Sequence, residues 1–492
     1  MPMTEAQMKQ LTAQIVKLLQ EKRYDKAEQL ALSKLSPAED NVRGLQIFSS
    51  IYRATQRFDA SEVCCRRALW LKPDDAATHT NYGNLLTDLN RLDEAVLHTG
   101  QAVRLEPENE TILRNHICTL REGKRFAEAE PYCDQLLALK NNDSSALYLS
   151  AQIYLYQNKY AEGWRRYEQR FYQPQYAALA KLPMPCWRGE IDTQNKSLLI
   201  IGEQGFGDMM LMTRFFPELA RRFKRVALLC KPALHRLFAK LPVQLLTEGQ
   251  PVPDLTSFDY YISSMSIPDR VQRDWTLWPA SVLLHAAETA PFKIKKDNRL
   301  KVGIVWSGSV TFGGNAKRAV GLDRFLQLAA AVPEARFFSF QKGPGEDELR
   351  RHGSYPLIHV GNLFDDFSAT AAAIRQMDLL VMTDTSLVHL CGIFGVPVVD
   401  LLNYLPYWLY GTEASTTPLY NSVSFLRQRR PGDWDDVFER VAQILISLAG
   451  KKQERPNMGA RDILTQIRNS LGVRLELTET PSPPSRHKAA LK

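Results

Sequence analysis

The sequence predicts two architectures joined end to end: an α-helical stack of tandem repeats, then an α/β region of two lobes built on parallel sheets. Three observations carry this. A short residue pattern recurs every 34 positions between residues 23 and 163. After residue 196, apolar strand-like runs alternate with amphipathic stretches. Residues 376–402 read as buried strand, polar loop, short helix, glycine turn and second buried strand, which is half of a nucleotide-binding sheet.

The repeat is carried by Arg23-Tyr24, Arg57-Phe58, Arg91-Leu92, Arg125-Phe126 and Lys159-Tyr160, and by the small residues Ala27, Ser61, Ala95, Ala129 and Gly163 at the same spacing. A small side chain lets the two helices of a unit approach closely, and the preceding aromatic or leucine packs across them. Pro73 and Pro107 fall at turns between units, where no helical N–H is needed. Five registers of such a helix–turn–helix unit resemble tetratricopeptide repeats, with degenerate terminal units acting as caps. The repeats are expected over 1–170, followed by a linker at 171–195.

The first lobe is expected over 196–290, opening on the apolar run Leu198 to Ile201 and the loop Gly202-Glu-Gln-Gly-Phe-Gly-Asp208, which leads into an amphipathic stretch through Arg222. Further strand-like runs lie at 224–230, 259–263, 301–306, 336–341, 378–383 and 397–402, with the second lobe over 298–450. In that lobe Thr385, Ser386 and the ring of His389 stand at the start of a helix. Strand-to-helix loops in parallel sheets bind phosphate because free amides and the helix dipole converge there. No Gly-x-Gly-x-x-Gly opens the loop, so a dinucleotide cofactor is not expected. Asp433-Trp-Asp435 opens a predicted helix and reads as a cap rather than a metal motif.

Composition narrows the classes. No run of about 18 apolar residues exists, and residues 1–17 lack a signal-peptide core, so a cytoplasmic protein with no transmembrane segment is expected. The seven cysteines are scattered, with no Cys-x-x-Cys, which argues against a disulfide framework or a zinc site. Of the formal charge of +8, residues 1–170 contribute zero and residues 451–492 contribute +5. The excess therefore sits in a C-terminal helix and flexible tail, expected over 451–492, and no basic stripe with interleaved aromatics points to nucleic acid.

Six segments in order then support a resemblance: Gly202-Glu-Gln-Gly-Phe-Gly-Asp208, Val302-Gly-Ile-Val-Trp-Ser-Gly308, Phe338-Ser-Phe-Gln-Lys-Gly-Pro344, Asp366-Phe-Ser-Ala-Thr-Ala371, Asp384-Thr-Ser-Leu-Val-His-Leu390, and Phe425-Leu-Arg-Gln428 with Gly432-Asp-Trp434. The chain resembles bacterial tetratricopeptide-repeat proteins fused to a GT-B glycosyltransferase module, similar to the ADP-heptose heptosyltransferases and more distantly to O-linked N-acetylglucosamine transferase. The resemblance implies an α-helical TPR superhelix followed by an α/β GT-B fold of two Rossmann-like lobes, with a nucleotide-sugar donor held between them. By motif match, Asp384, Thr385, Ser386 and His389 contact ribose and phosphates, and Gln341 and Lys342 reach the diphosphate. The loop after Trp306, with Ser307, Gly308, Lys317 and Arg318, caps the donor. Gly205, Gly207, Asp366 and Phe367 complete the donor-side set, and Asp208 is the candidate general base of an inverting transfer. Positive side chains and helix-end amides would take up the charge of the leaving nucleoside phosphate, with no metal or cofactor expected.

Each residue also has a simpler role open to it. Asp208 can cap the helix it opens, His389 can be a satisfied core histidine, Lys317 and Arg318 can be surface charges, and Trp306 and Trp408 read as packing residues. Two departures leave the donor open: Arg318-Ala319 stands where relatives often carry Arg-Ser, and Ala369 stands where they carry an acidic residue. The short first lobe leaves acceptor-side loops to the repeats. The leading expectation is transfer of a sugar to a protein acceptor, such as flagellin or another surface protein, held in the repeat groove. The alternatives are a repeat scaffold with a weak or inactive transferase module, and a lipopolysaccharide transferase.

Overall fold

The structure, a computed structural model, describes residues 3–472 apart from 140–142, 253, 296, 311–312 and 353–355. Among the described residues, ten helices pair into five units: α1 (Glu5–Gln20) with α2 (Tyr24–Leu32), α3 (Val42–Ala54) with α4 (Phe58–Leu71), α5 (Ala76–Asp88) with α6 (Leu92–Leu105), α7 (Glu110–Glu122) with α8 (Phe126–Leu139), and α9 (Ser144–Tyr156) with α10 (Tyr160–Tyr167). The second helix of every unit starts on the residue after the basic position, so the period in the sequence is the period of the fold. Ala27, Ser61, Ala95 and Ala129 are fully buried. A Cβ on Gly163 would stand 2.8 Å from the Leu155 side chain, which is why the last unit needs glycine.

The turns inside the units repeat too. Lys22, Gln56, Asn90, Lys124 and Asn158 all adopt the left-handed conformation, with φ of 57–59°. Each lets the next residue close the preceding helix, as in Arg57 N to Tyr52 O and Arg91 N to Leu86 O, both 2.8 Å. This is a Schellman-type stop, usually made by glycine.

Two sheets follow. The first has the order β3-β2-β1-β4, with β1 (Ser197–Ile201), β2 (Arg225–Cys230), β3 (Gln244–Thr247) and β4 (Tyr260–Ser263) all parallel. The second has the order β10-β11-β9-β8-β5-β6-β7, made of β5 (Leu300–Val305), β6 (Ala335–Ser339), β7 (Leu357–His359), β8 (Leu379–Thr383), β9 (Val398–Leu402), β10 (Thr416–Thr417) and β11 (Tyr420–Arg427). Only the β10–β11 pairing is antiparallel. Strand order reverses between β1 and β4 and between β5 and β8. Open α/β sheets hold ligands outside the carboxyl ends of strands at such reversals. The architecture is therefore an α-helical repeat stack followed by two Rossmann-like lobes. Strands β3, β7 and β10 do not show in the sequence because they are short edge pieces with no clean alternation; β11 sits on the far side of an aromatic loop that hides its start.

The linker segment 171–195 is held against the first lobe at its second half. Trp187 is buried, its N–H donates to Tyr261 O at 2.8 Å, and Tyr261 N–H donates to Pro185 O at 3.0 Å, so this stretch extends the first sheet beyond β4. One continuous apolar cluster contains Trp164 and Tyr167 of the repeats, Met209 and Phe215 of the first lobe, and Val388 and Tyr420 of the second. Trp408 packs edge-on against Trp164 with ring centroids 5.2 Å apart, and Trp306 is fully buried in the second-lobe core, so both are packing residues. Asp433 Oδ1 accepts from Asp436 N–H at 3.3 Å, a cap on the helix Asp435–Glu454. The helix Ala460–Ser470 buries Ile463 and Ile467, while the expected tail after 472 lies outside the described residues. Among the described residues no helix is long and apolar enough to cross a membrane.

Candidate functional site

The candidate residues gather where the two lobes meet, at the starts of the helices Phe206–Met212 and Ser386–Phe394. These helix starts lie against each other: a Cβ on Gly207 would stand 2.6 Å from His389 Cδ2 and 3.2 Å from Ser386 Cα. Gly207 is thus glycine for close packing between the lobes. Gly205 is the N-cap, and its N–H donates to Asp208 Oδ2 at 3.0 Å. That carboxylate occupies the amide expected for the donor.

Asp208 both caps and faces the interface. Burial pushes its carboxyl up to about 6; the Gly205 N–H works against this, and the carboxylates of Asp384 and Glu203 reinforce it. Across the interface, Asp384 ends β8. Arg318 Nη1 lies 3.5 Å from Asp384 Oδ2, and Tyr410 donates to Oδ1 at 3.3 Å. Burial raises the Asp384 carboxyl, while Arg318 and Tyr410 hold it back. Thr385 is the N-cap of the Ser386–Phe394 helix but makes no side-chain cap bond; its Oγ1 approaches Met382 Sδ at 3.7 Å. Gly395, with φ of 68°, ends that helix, as the glycine turn in the sequence predicts.

The β5 loop supplies the other wall. The motif match puts Gln341 at the diphosphate; instead it is buried and holds this loop. Its Oε1 accepts from Trp306 N–H (3.1 Å) and Ser307 N–H (3.0 Å), and its Nε2 donates to Ser307 O (3.1 Å) and Lys342 O (3.0 Å). Asn315 then binds Gly308 N–H through Oδ1 at 3.0 Å and donates from Nδ2 to Ser307 Oγ at 3.1 Å. A Cβ on Gly308 would stand 2.6 Å from Arg318 Nη2, so glycine here admits the guanidinium to the cleft.

Four candidates point elsewhere. Lys317 pairs with Glu122 of α7 at 2.5 Å, tying the second lobe to the repeats rather than capping a donor. Lys342 Nζ donates to Phe364 O at 2.5 Å. Asp366 caps its own helix through Ala369 N–H at 2.8 Å and pairs with Arg236 at 2.9 Å. Phe367 packs on Phe206, centroids 4.8 Å apart, as part of the lobe contact. His389 also differs from the expected phosphate ligand: Nδ1 meets Tyr420 OH at 3.1 Å and Nε2 meets Tyr410 OH at 3.2 Å. Burial, reinforced by Arg214, lowers it to about 3, so the ring is neutral.

Sequence reasoning misses Tyr410, Tyr420, Arg214 and Asp400. The aromatic density of Tyr404-Leu-Pro-Tyr-Trp-Leu-Tyr410 is a usable signal; Arg214 and Asp400 stand inside apolar runs that read as core. Asp400 is fully buried on β9, and among the described residues neither carboxylate oxygen has a hydrogen-bond partner. Burial, with Asp384 adding to it, raises Asp400 well above the usual carboxylate range.

No family model matches the chain. It is 22% identical over 449 residues to Protein FlbA of Caulobacter vibrioides, an alignment spanning 83% of this chain and 74% of that protein. Among solved structures, PilF of Pseudomonas aeruginosa aligns at 17% identity over 44% of this chain and 85% of its own, with a TM-score of 0.32. A mutant O-GlcNAc transferase of Thermobaculum terrenum aligns at 14% identity over 87% of this chain and 96% of its own, with a TM-score of 0.29. The fold assignment rests on the repeat period and strand orders described above.

Proposed function

We propose that this chain is an inverting, metal-independent glycosyltransferase that moves a sugar from a nucleotide-sugar donor to a protein acceptor held by the repeats. One observation carries the reading: at the β5/β8 reversal, Arg318, Asp384 and an uncapped helix start stand across the lobe interface from Asp208, a carboxyl raised to about 6. A base with that pKa is mostly ionised at neutral pH yet basic enough to take a proton. In the proposed step the acceptor hydroxyl gives its proton to Asp208 as its oxygen bonds to the anomeric carbon. The bond from that carbon to the donor diphosphate breaks. Arg318 and the amides at Ser386 and beyond take up the charge that develops on the diphosphate. The donor set is narrower than the motifs imply: Ser307, Gly308, Arg318, Asp384, Thr385 and Ser386, with Gln341 shaping the loop.

The acceptor side is proposed on the repeats. A cavity of about 240 Å³ opens where α3, α5 and α7 approach the second lobe, lined by Asn84, Thr87, Asn115, Thr119 and the Glu122–Lys317 pair. Its amides and hydroxyls suit a polar polypeptide, and the net charge of zero over residues 1–170 suits recognition by hydrogen bonds and shape rather than bulk charge. The second reading, a scaffold with an idle transferase module, is favoured by the closed contact of Gly207 on His389 and the internal bonds of Gly205 and Lys342.

Calorimetry of the full chain against UDP, GDP, ADP and CMP separates the two. Binding of one nucleotide that is weakened in Arg318→Ala supports the transferase; absence of binding to all four supports the scaffold. Mass spectrometry of surface and flagellar proteins from cells with and without the gene then tests the acceptor.

A further inference from the structure

A buried line of side chains runs across the lobe interface to Asp384, and its proton directions follow from its two ends. At the first-lobe end Arg214 is buried, donates from Nη2 to Leu419 O at 3.3 Å, and sets its guanidinium carbon 5.2 Å from the Tyr420 ring centroid. Tyr420 OH is 3.1 Å from His389 Nδ1, His389 Nε2 is 3.2 Å from Tyr410 OH, and Tyr410 OH is 3.3 Å from Asp384 Oδ1. At the far end Asp384 is paired with Arg318 and therefore accepts. Tyr410 must spend its only proton there, so its oxygen is left to accept from His389. A neutral imidazole carries one N–H, which this places on Nε2, and Nδ1 is then the acceptor for Tyr420. The opposite tautomer would turn Tyr410 toward His389 and leave Asp384 Oδ1 without that donor.

We propose that Tyr420, His389 and Tyr410 form a one-directional hydrogen-bond relay, anchored by Arg214 of the first lobe, that orients Asp384 toward Arg318 in the donor cleft. Arg214, Tyr420, His389 and Tyr410 are then positioning residues. The three hydrogen bonds lie within the second lobe; the first lobe covers them, with Gly207 against the His389 ring and Arg214 over the Tyr420 ring. The groups facing His389 are the two tyrosine hydroxyls and the Arg214 guanidinium; Asp208, on the helix that packs against the ring, ionises at about 6 and acts on both tyrosines by raising them further, which keeps their protons in place.

This inference rests on the reading of Asp384 as a donor-site residue, but its test does not. Nitrogen NMR of the full chain with ring-labelled histidine, with the His389 signal identified by difference from His389→Gln, should show a neutral Nε2–H tautomer unchanged from pH 5 to 8. Tyr410→Phe removes the acceptor and should give a mixed or Nδ1–H tautomer; neutron diffraction of the unaltered chain reads the same proton without any variant. An Nδ1–H tautomer or an imidazolium in the unaltered protein overturns the relay. In nucleotide titrations Tyr410→Phe should weaken binding about tenfold through lost orientation of Asp384. Unchanged affinity in a protein that binds nucleotide removes the positioning role, and a protein that binds none refutes the donor site while the tautomer still decides the relay.

Discussion

The two strand–loop–helix units that meet at the interface share a backbone plan and differ in what closes it. After β1, the N-cap Gly205 likewise gives its helix no side-chain bond, but its own amide is taken by Asp208, and Glu203 forms a buried pair with Arg170 at 2.5 Å from the end of the repeats. After β8, Thr385 leaves the helix start uncapped, and a guanidinium from the β5 loop faces it. Helix N-termini attract anions in proportion to the amides left free. Under the proposed function the anion falls to the second lobe, and the first lobe supplies the carboxylate and the anchoring of the repeats.

The largest expected effect comes from removing the charge on the closed side. Asp208→Asn keeps the cap, since asparagine accepts as aspartate does, but cannot accept a proton at neutral pH. Turnover should fall by about 10²-fold or more with nucleotide affinity unchanged. The same variant should be more stable. The carboxyl ionises at 3.8 in its ordinary state and at about 6 in the fold, so the unfolded chain holds fewer protons between those values and the native protein loses stability as pH rises through that window. Denaturant titrations should therefore show the Asp208→Asn variant ahead by about 1–2 kcal/mol above pH 6, a value discounted for the partial exposure of Asp208, and level with the unaltered chain below pH 4. Normal turnover with no stability gain would reduce Asp208 to a cap.

The open side is tested through its cation. Arg318→Ala should weaken nucleotide binding by about 1–3 kcal/mol, the worth of a charge-assisted bond to phosphate. Lys317→Ala, one residue earlier, should stay within about 0.5 kcal/mol in calorimetry, because its ammonium is committed to Glu122. Equal losses in both variants would restore Lys317 to the donor site and break the assignment. The contact between the two units is tested by Gly207→Ala, whose Cβ meets a ring and a backbone atom. Overpacking there should cost about 1–3 kcal/mol in thermal or denaturant unfolding.

How far the sequence reveals each part follows from how local its contacts are. The repeats are legible because each unit touches its neighbours and the same steric demand returns every 34 residues, although the left-handed turn at Gln56 and its equivalents carries no glycine to announce it. The sheets are legible where a strand is an apolar run set off from its neighbours, β4 included, and illegible in the short edge pieces β3 and β7 and in β11, whose apolar run follows directly on an aromatic loop. At the site, motifs locate Asp208, Arg318 and Asp384 but not what satisfies them. Nothing near Gln341 in the chain shows that it binds Trp306 and Ser307, 35 and 34 residues away, or that His389 lies between tyrosines from two later segments. Resemblance transfers the positions of side chains and leaves their partners to the fold.

The smallest expected effect is a stability that does not change. An N-cap threonine usually contributes about 0.5–2 kcal/mol through its hydroxyl, and losing it costs that amount. Thr385 makes no such bond, and its extended backbone, with φ of −142°, suits a β-branched side chain. Thr385→Val replaces the hydroxyl with a methyl of similar size, so unfolding free energy should move by less than about 0.5 kcal/mol. If the uncapped amides and hydroxyl are instead kept for a ligand, the same variant should bind nucleotide more weakly by about 1 kcal/mol. A valine variant that loses the full cap value in unfolding would show that Thr385 does close its helix in solution, and the contrast between the two helix starts would disappear.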